Sequence, residues 1–142
     1  MAQPKALLDT DTLSAVMRGT PAVAARSREY LAEHHAFALS IITRYEILRG
    51  LKAKAATAQV QAFDRFCEAS LVLPLTDEIV VRAAEIYASL RRRGQPTGDA
   101  DILIAASALT HGFGVVTNNE AHFRRIEGLH VGNWLRPLSG TP

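Results

Sequence analysis

The side chains most able to do chemistry in this chain are carboxylates, placed where an α/β sheet presents its ligands. Lys5-Ala6-Leu7-Leu8-Asp9-Thr10-Asp11-Thr12-Leu13 reads as a short apolar strand that stops on an acid. Hydroxyls, a second acid and a helix start follow it. Ligands of open α/β sheets sit just beyond the carboxyl ends of the strands, so Asp9 is a first candidate. Glu46, Asp99 and Asp101 each read as first-turn residues of later helices. Every one of these acids also has an ordinary local role. Thr43 to Glu46 has the spacing of a capping box, Asp99 and Asp101 would complement a helix dipole, and Asp11 would cap a helix at Thr12. Together they suggest more, because Asp9, Glu46 and Asp101 come from separate elements that reach the same end of a parallel sheet. Hard oxygen ligands of that kind suit Mg²⁺ or Mn²⁺, with water completing the shell. Such an ion activates a water and clamps a phosphodiester oxygen. Zinc spacing is absent: His34, His35, His111, His122 and His130 are scattered and Cys67 is alone. Each histidine reads as a helix-end or surface residue.

The elements that would position these acids alternate along the chain. After the strand at Asp9, a helix from Thr12 to Arg18 is stopped by Gly19-Thr20-Pro21, and Pro21 opens a second helix to about His34. Ala36 to Ile42 is a continuous apolar run, as for a strand covered on both faces. Thr43 then caps a helix carrying Tyr45, Ile47, Leu48 and Leu51. An alanine-rich stretch continues it into a helical hairpin through Phe66, broken near Gly50 or Thr57. Leu71-Val72-Leu73 is a strand ended by Pro74, and Thr76 or Asp77 caps a helix to Arg92 with Ile79, Val80, Ala83, Ile86, Tyr87 and Leu90 inward. Gly94 to Gly98 is a loop. Asp99 starts a helix to His111, Gly114 to Thr117 is a strand, and Asn118-Asn119-Glu120 turns into a short helix through Phe123. Leu129-His130-Val131 is a last edge strand, and residues 134–142 are a loose tail. Strands alternating with helices imply a parallel sheet of about five strands between helical layers, in one domain spanning 1–142.

Bulk composition narrows the classes. The chain has 142 residues, 48% hydrophobic and 21% charged, with a formal net charge of +2, which suits a soluble globular domain and gives no strong overall sign for a nucleic-acid binder. No apolar run approaches the ~20 residues of a membrane helix, and no signal-peptide pattern opens the chain. The single cysteine fits a reducing, cytoplasmic setting. Basic clusters at Lys52/Lys54, Arg91-Arg92-Arg93 and Arg124-Arg125 read as solvated helix ends.

Four segments carry a family resemblance. They are Leu7-Leu8-Asp9-Thr10-Asp11-Thr12-Leu13-Ser14; Ser40-Ile41-Ile42-Thr43-Arg44-Tyr45-Glu46-Ile47-Leu48-Arg49-Gly50; Asp101-Ile102-Leu103-Ile104-Ala105-Ala106; and Val116-Thr117-Asn118-Asn119 with Phe123 and Gly128-Leu129. In this order the chain resembles the PIN-domain ribonucleases, and among them the VapC-like toxins of bacterial toxin–antitoxin pairs. The resemblance implies a PIN-like three-layer sandwich and a Mg²⁺- or Mn²⁺-dependent endoribonuclease acting on RNA. It also implies a homodimer held by a cognate antitoxin. Asp9, Glu46 and Asp101 fall on the family's three principal acidic positions, as catalytic residues and metal ligands. The fourth, more variable acidic position falls on Asn119, and Asp11 stands where asparagine is common. Thr10, Asp11, Asp99, Thr117 and Asn119 are auxiliary candidates, and Glu120 or Asp99 would be the acids placed to replace the missing charge. Arg44 and Arg49 are candidates for holding the RNA backbone.

Three other readings compete. Asp9-Thr10-Asp11 opens the Asp-x-Asp-x-Thr signature of haloacid-dehalogenase-type phosphatases, but Leu13 stands where that signature needs threonine. A receiver-type phosphoacceptor lacks its late lysine. A degenerate PIN module that binds RNA or protein without cleaving is the non-enzymatic alternative, raised by Asn119.

Overall fold

Alternation of side chains along short apolar triplets organises the molecule. The computed structural model describes residues 3–136. Its strands are β1 (Ala6–Leu8), β2 (Ala38–Ser40), β3 (Leu71–Leu73), β4 (Gly114–Val116) and β5 (Val131–Gly132). They form one five-stranded sheet in the order β3-β2-β1-β4-β5, parallel at every pairing. Successive residues of a strand point to opposite faces, and the core divides accordingly. Leu7, Ala38, Leu73 and Val115 face one layer, packed by Ile79, Ala83 and Leu90 of α5 (Asp77–Arg92) and by Ile102, Ile104 and Ala105 of α6 (Asp99–His111). Ala6, Leu8, Leu39 and Val116 face the other. That layer holds α1 (Thr10–Arg18), α2 (Pro21–His34), α3 (Ile41–Ala53) and α4 (Thr57–Glu68) through Leu13, Val23, Tyr30, Ile47 and Phe63. The short α7 (Glu120–Arg124) adds Phe123 to the first layer. The expected three-layer α/β sandwich is the observed architecture. Where β4 meets the segment before β5 the backbones approach closely: a Cβ on Gly114 would lie 2.9 Å from the His130 carbonyl oxygen.

The strand order has a consequence for function. The chain leaves β1 toward β2 and β3 on one side, then crosses back to β4 and β5 on the other. The direction of winding therefore reverses between β1 and β4, and the crevice beyond their carboxyl ends is where a doubly wound sheet binds its ligand.

Several expectations need correcting. The apolar run 36–42 is strand only over Ala38–Ser40; the Ser40 hydroxyl accepts from the Ile42 backbone N–H (3.0 Å) and starts α3 at Ile41. Isoleucine favours strands, but this side-chain cap and the packing of α3 override that preference. Thr43 is thus inside the helix, and the proposed box with Glu46 does not form. Asp9, not Asp11, is the N-cap of α1, which begins at Thr10. The helical hairpin breaks just ahead of Thr57, where Ala55 takes a left-handed φ of 54°. Val80 and Tyr87, read as inward, are exposed. Finally, β5 starts at Val131, two residues later than expected, and Trp134 is no tail residue. It is 4% exposed, with its ring 5.6 Å from that of Tyr30 and 6.4 Å from that of Phe37. The rest of the expected tail, 137–142, lies outside the described residues.

Truncating that ring tests the correction. Trp134→Ala should destabilise the protein by about 3–5 kcal/mol in urea unfolding, the usual cost of deleting a buried aromatic. A loose tail would leave the midpoint unchanged.

Candidate active site

Asp9 follows β1 and sits at the reversal point, 8% exposed. Its extended backbone lets it cap α1, and its carboxyl is fixed from two directions. Thr10 N–H donates to Oδ1 (2.8 Å), and Thr117 Oγ1, just past β4, donates to Oδ2 (2.9 Å). Burial pushes the Asp9 carboxyl up to about 6; the two hydrogen bonds oppose the shift, and the charges of Asp11 and Asp101 add to it.

Hydrogen bonds run outward from Asp9 to the other two principal acids. Thr10, whose backbone N–H holds Asp9, also donates its Oγ1 to Glu46 Oε1 on α3 (2.7 Å). On the far side, Asn119 N–H donates to Thr117 Oγ1 (2.9 Å), and Asn119 Nδ2 extends toward Asp101 Oδ2 at 3.5 Å. His122 completes this end: its Nδ1 lies 3.1 Å from Asp101 Oδ2 and 2.7 Å from Asn119 Nδ2. Asp101, in the first turn of α6, is thus held on one oxygen by two residues of the β4–α7 segment. One connected set of polar contacts links Glu46, Asp9 and Asp101.

The remaining candidates sort by position. Thr10 and Thr117 make the supporting hydrogen bonds. Asp11 turns its Oδ1 to the Thr12 N–H (2.8 Å) and, at 3.5 Å, to the Asn118 N–H, at the edge of the same crevice. Asp99 is exposed at the start of α6, with no hydrogen bond into the network among the described residues. Glu120 does not supply the missing fourth charge. Arg124, Asn133 and Arg136 surround its carboxylate at 2.7, 2.8 and 3.2 Å, and the bond from Arg124 in particular holds it below the usual range. Arg44 is committed elsewhere, donating to Asp64 on α4 (3.0 Å) with its guanidinium 5.6 Å over the Phe63 ring. Arg49 is exposed on α3, 5.3 Å over the Tyr45 ring. Cys67 is buried beside Arg44, and burial pushes its thiol up, so it is no ready nucleophile.

His122 is the residue that sequence reasoning missed. Its signal was its place three residues after Asn119 at the start of a short helix, where i and i+3 share a face. Among the described residues, no three His, Cys, Asp or Glu side chains are gathered tightly enough to enclose an ion. The donor chemistry nonetheless suits one: Asp9, Glu46 and Asp101 offer hard oxygen donors of the kind that Mg²⁺ or Mn²⁺ takes.

The PIN-domain family model matches residues 6–129, and with them every residue of this network. The chain belongs to the PIN-domain family. It is 31% identical to a tRNA(fMet)-specific endonuclease VapC of Salmonella typhimurium, over 92% of this chain and 98% of that one. Its fold is similar to the VapBC complex of Salmonella typhimurium solved bound to DNA, with a TM-score of 0.80, 28% identity and coverage of 93% and 99% of the two chains. It is similar also to VapBC2 of Rickettsia felis bound to a promoter fragment, with a TM-score of 0.79, 26% identity and coverage of 90% and 97%. These likenesses place the PIN domain among the VapC ribonucleases of toxin–antitoxin systems.

The Asp9 carboxyl makes the metal-free PIN domain pH-dependent. Folded, it releases its proton near 6; unfolded, near 3.8. Between those values the unfolded chain ionises first, so stability falls as pH rises and levels off above about 6. Asp9→Asn removes that slope and should raise stability at neutral pH by up to about 3 kcal/mol, from 1.36 kcal/mol per pKa unit. Urea unfolding in chelator on either side of this window measures it. A variant less stable than wild type at neutral pH would contradict the assignment.

Proposed function

We propose that this PIN domain is a divalent-metal-dependent endoribonuclease that hydrolyses RNA phosphodiester bonds as the toxin of a toxin–antitoxin pair. The observation that carries the reading is the linkage of Asp9, Glu46 and Asp101 at the β1/β4 crevice of a PIN fold. Asp9, Asp101 and Glu46 would hold Mg²⁺ or Mn²⁺. When bound, such an ion acidifies water and stabilises negative charge on the phosphorus centre.

The chain's own residues do the rest. Thr117 and the Thr10 amide keep the Asp9 carboxylate in one orientation, and Thr10 Oγ1 holds Glu46 toward the same crevice. His122 and Asn119 fix one oxygen of Asp101 and leave the other for the site. Arg49 is available to the RNA backbone, whereas Arg44 is tied to Asp64. Asp11 faces backbone amides, which leaves the phosphatase reading without its second acid. The VapBC complexes among the structural relatives support a cognate antitoxin as partner, and the reading puts the protein in the cytoplasm. No described helix is long and apolar enough to cross a membrane.

Cleavage assays test this directly. Initiator tRNA is the first substrate to try, because a relative is named for it. The protein should cut with Mg²⁺ or Mn²⁺ and stop with chelator. Asp9→Asn, Glu46→Gln and Asp101→Asn should each slow cleavage by about 100-fold or more, as when a charge-stabilising group is removed. Undiminished cleavage by folded Asp9→Asn protein would sink the metal-site reading. Metal-independent RNA binding without cleavage would favour a binding module.

A further inference from the structure

The segment between β4 and the end of α7 carries Asn119 and His122 to Asp101, yet little within the segment holds it there. α7 has only five residues, too few for a helix to be stable on its own. Asn119 is its N-cap, and an asparagine in that place commonly turns its side chain back to the first free amides of the helix. Among the described residues no such cap forms, because the side chain points to Asp101 and His122 instead. Support comes from outside the segment, from Asn133 just past β5.

Asn133 uses both ends of its side-chain amide. Its Nδ2 donates to Asn118 Oδ1 (3.2 Å) and to Glu120 Oε2 (2.8 Å), the two residues that flank Asn119. Its Oδ1 accepts from the backbone N–H groups of Leu135 (2.9 Å) and Arg136 (3.2 Å). A primary amide has two donor hydrogens and two acceptor lone pairs, and here all are used. That fixes its orientation: turned over, it would set its NH2 against two N–H groups and its oxygen against a carboxylate. The mount is rigid as well. On one side Gly132 O accepts from the Thr117 N–H (2.9 Å), and on the other Trp134 is buried. Arg26 of α2 donates to the Asn133 carbonyl oxygen, and Arg124 and Arg136 steady Glu120 in turn. An asparagine needed only for its own turn would use Oδ1 alone. The Nδ2 bonds reach back 15 and 13 residues, to either side of the one loop residue that approaches Asp101.

We propose that Asn133 is a positioning residue of the acidic site: by holding Asn118 and Glu120 it sets Asn119 and His122 against Asp101. It touches no reacting group and acts through the loop it clamps. The proposal rests on the nuclease reading for its kinetic test alone.

Three variants test the clamp: Asn133→Ala, Asn133→Asp, and Asn133→Asp combined with Glu120→Gln. In Asn133→Ala, hydrogen exchange at the Asn119 amide should quicken by about tenfold or more, as a loop released from its anchor does. The Asp9 amide, bonded to the Val116 carbonyl, should keep its protection, and circular dichroism should not change. Mn²⁺ should bind about tenfold more weakly by calorimetry, the scale seen when groups that orient a metal ligand are lost. RNA cleavage should lose about tenfold in kcat with KM within about twofold, the pattern of a lost transition-state contact. Asn133→Asp keeps the turn but sets a carboxylate against Glu120, and should lose as much. Adding Glu120→Gln restores a hydrogen bond with its direction reversed, so the pair should return to within a few-fold of Glu120→Gln alone. Unchanged exchange at Asn119 or undiminished Mn²⁺ affinity in Asn133→Ala would overturn the proposal, as would a double variant no better than Asn133→Asp. A raised KM with kcat intact would assign Asn133 to RNA binding and overturn it equally. A wild-type chain that cleaves no RNA would sink the nuclease reading alone, and the exchange rate at Asn119 would still decide the clamp.

Discussion

The seam between β1 and β4, where Thr117 donates to Asp9, is the contact on which the rest of the molecule turns. A carboxylate 8% exposed is costly to ionise, and only a rigid surround keeps it there. The surround is the sheet itself: β1 and β4 pair in register over Ala6 to Leu8, so the residues just past their ends arrive side by side. The Asp9 N–H continues the pairing to the Val116 carbonyl, which fixes the backbone on which the carboxyl stands. Apolar triplets buried on both faces set the register, and the register delivers the polar groups.

Charge around this seam is distributed unevenly. On one side the charges of Asp11 and Asp101 disfavour ionised Asp9, with hydroxyl, amide and imidazole groups as near neighbours of these acids. A short distance along the chain, Glu120 is neutralised by Arg124 and Arg136 and ties the segment after β5 to α7 through Asn133. Arg44, close in sequence to Glu46, is likewise directed to Asp64. Arg44, Arg124 and Arg136 are thus paired with acids outside the Asp9 network, while burial and the neighbouring carboxylates disfavour ionised Asp9.

Most of the architecture was legible because its signals were local and periodic. Pro21 at the start of α2, Thr76 ahead of α5 and Gly112 after α6 each mark a boundary where the structure has one. Failures came where two signals competed. Ile41 and Ile42 extend a strand-like run, but the Ser40 hydroxyl caps a helix there. Val80 and Tyr87 are apolar, yet they sit on the face of α5 turned from the core, and residue type alone does not say which of two apolar stripes is buried. In the site, Asp9 stands after a strand and Asp101 in the first turn of a helix, as expected, whereas Glu46 lies one turn further into α3 than its first-turn reading. His122 was missed because its spacing links it only to Asn119, while its contact with Asp101 depends on how α7 packs against α6.

The distinction between a capping acid and a site acid can be drawn from where its oxygens go. A carboxylate at a helix start that serves the helix accepts from that helix's own free amides. Asp9 gives one oxygen to α1 and the other to Thr117, across the sheet. Asp101 stands in the first turn of α6, which Gly98 leaves without a side-chain cap, yet its Oδ2 turns to His122 and Asn119. Glu46, once the helix is seen to start at Ile41, lies too far along α3 to cap anything, and its carboxylate goes to Thr10. In all three cases a carboxylate oxygen bonds to a residue of another element. Local helix stability does not explain those contacts, which tie the three acids to the crevice.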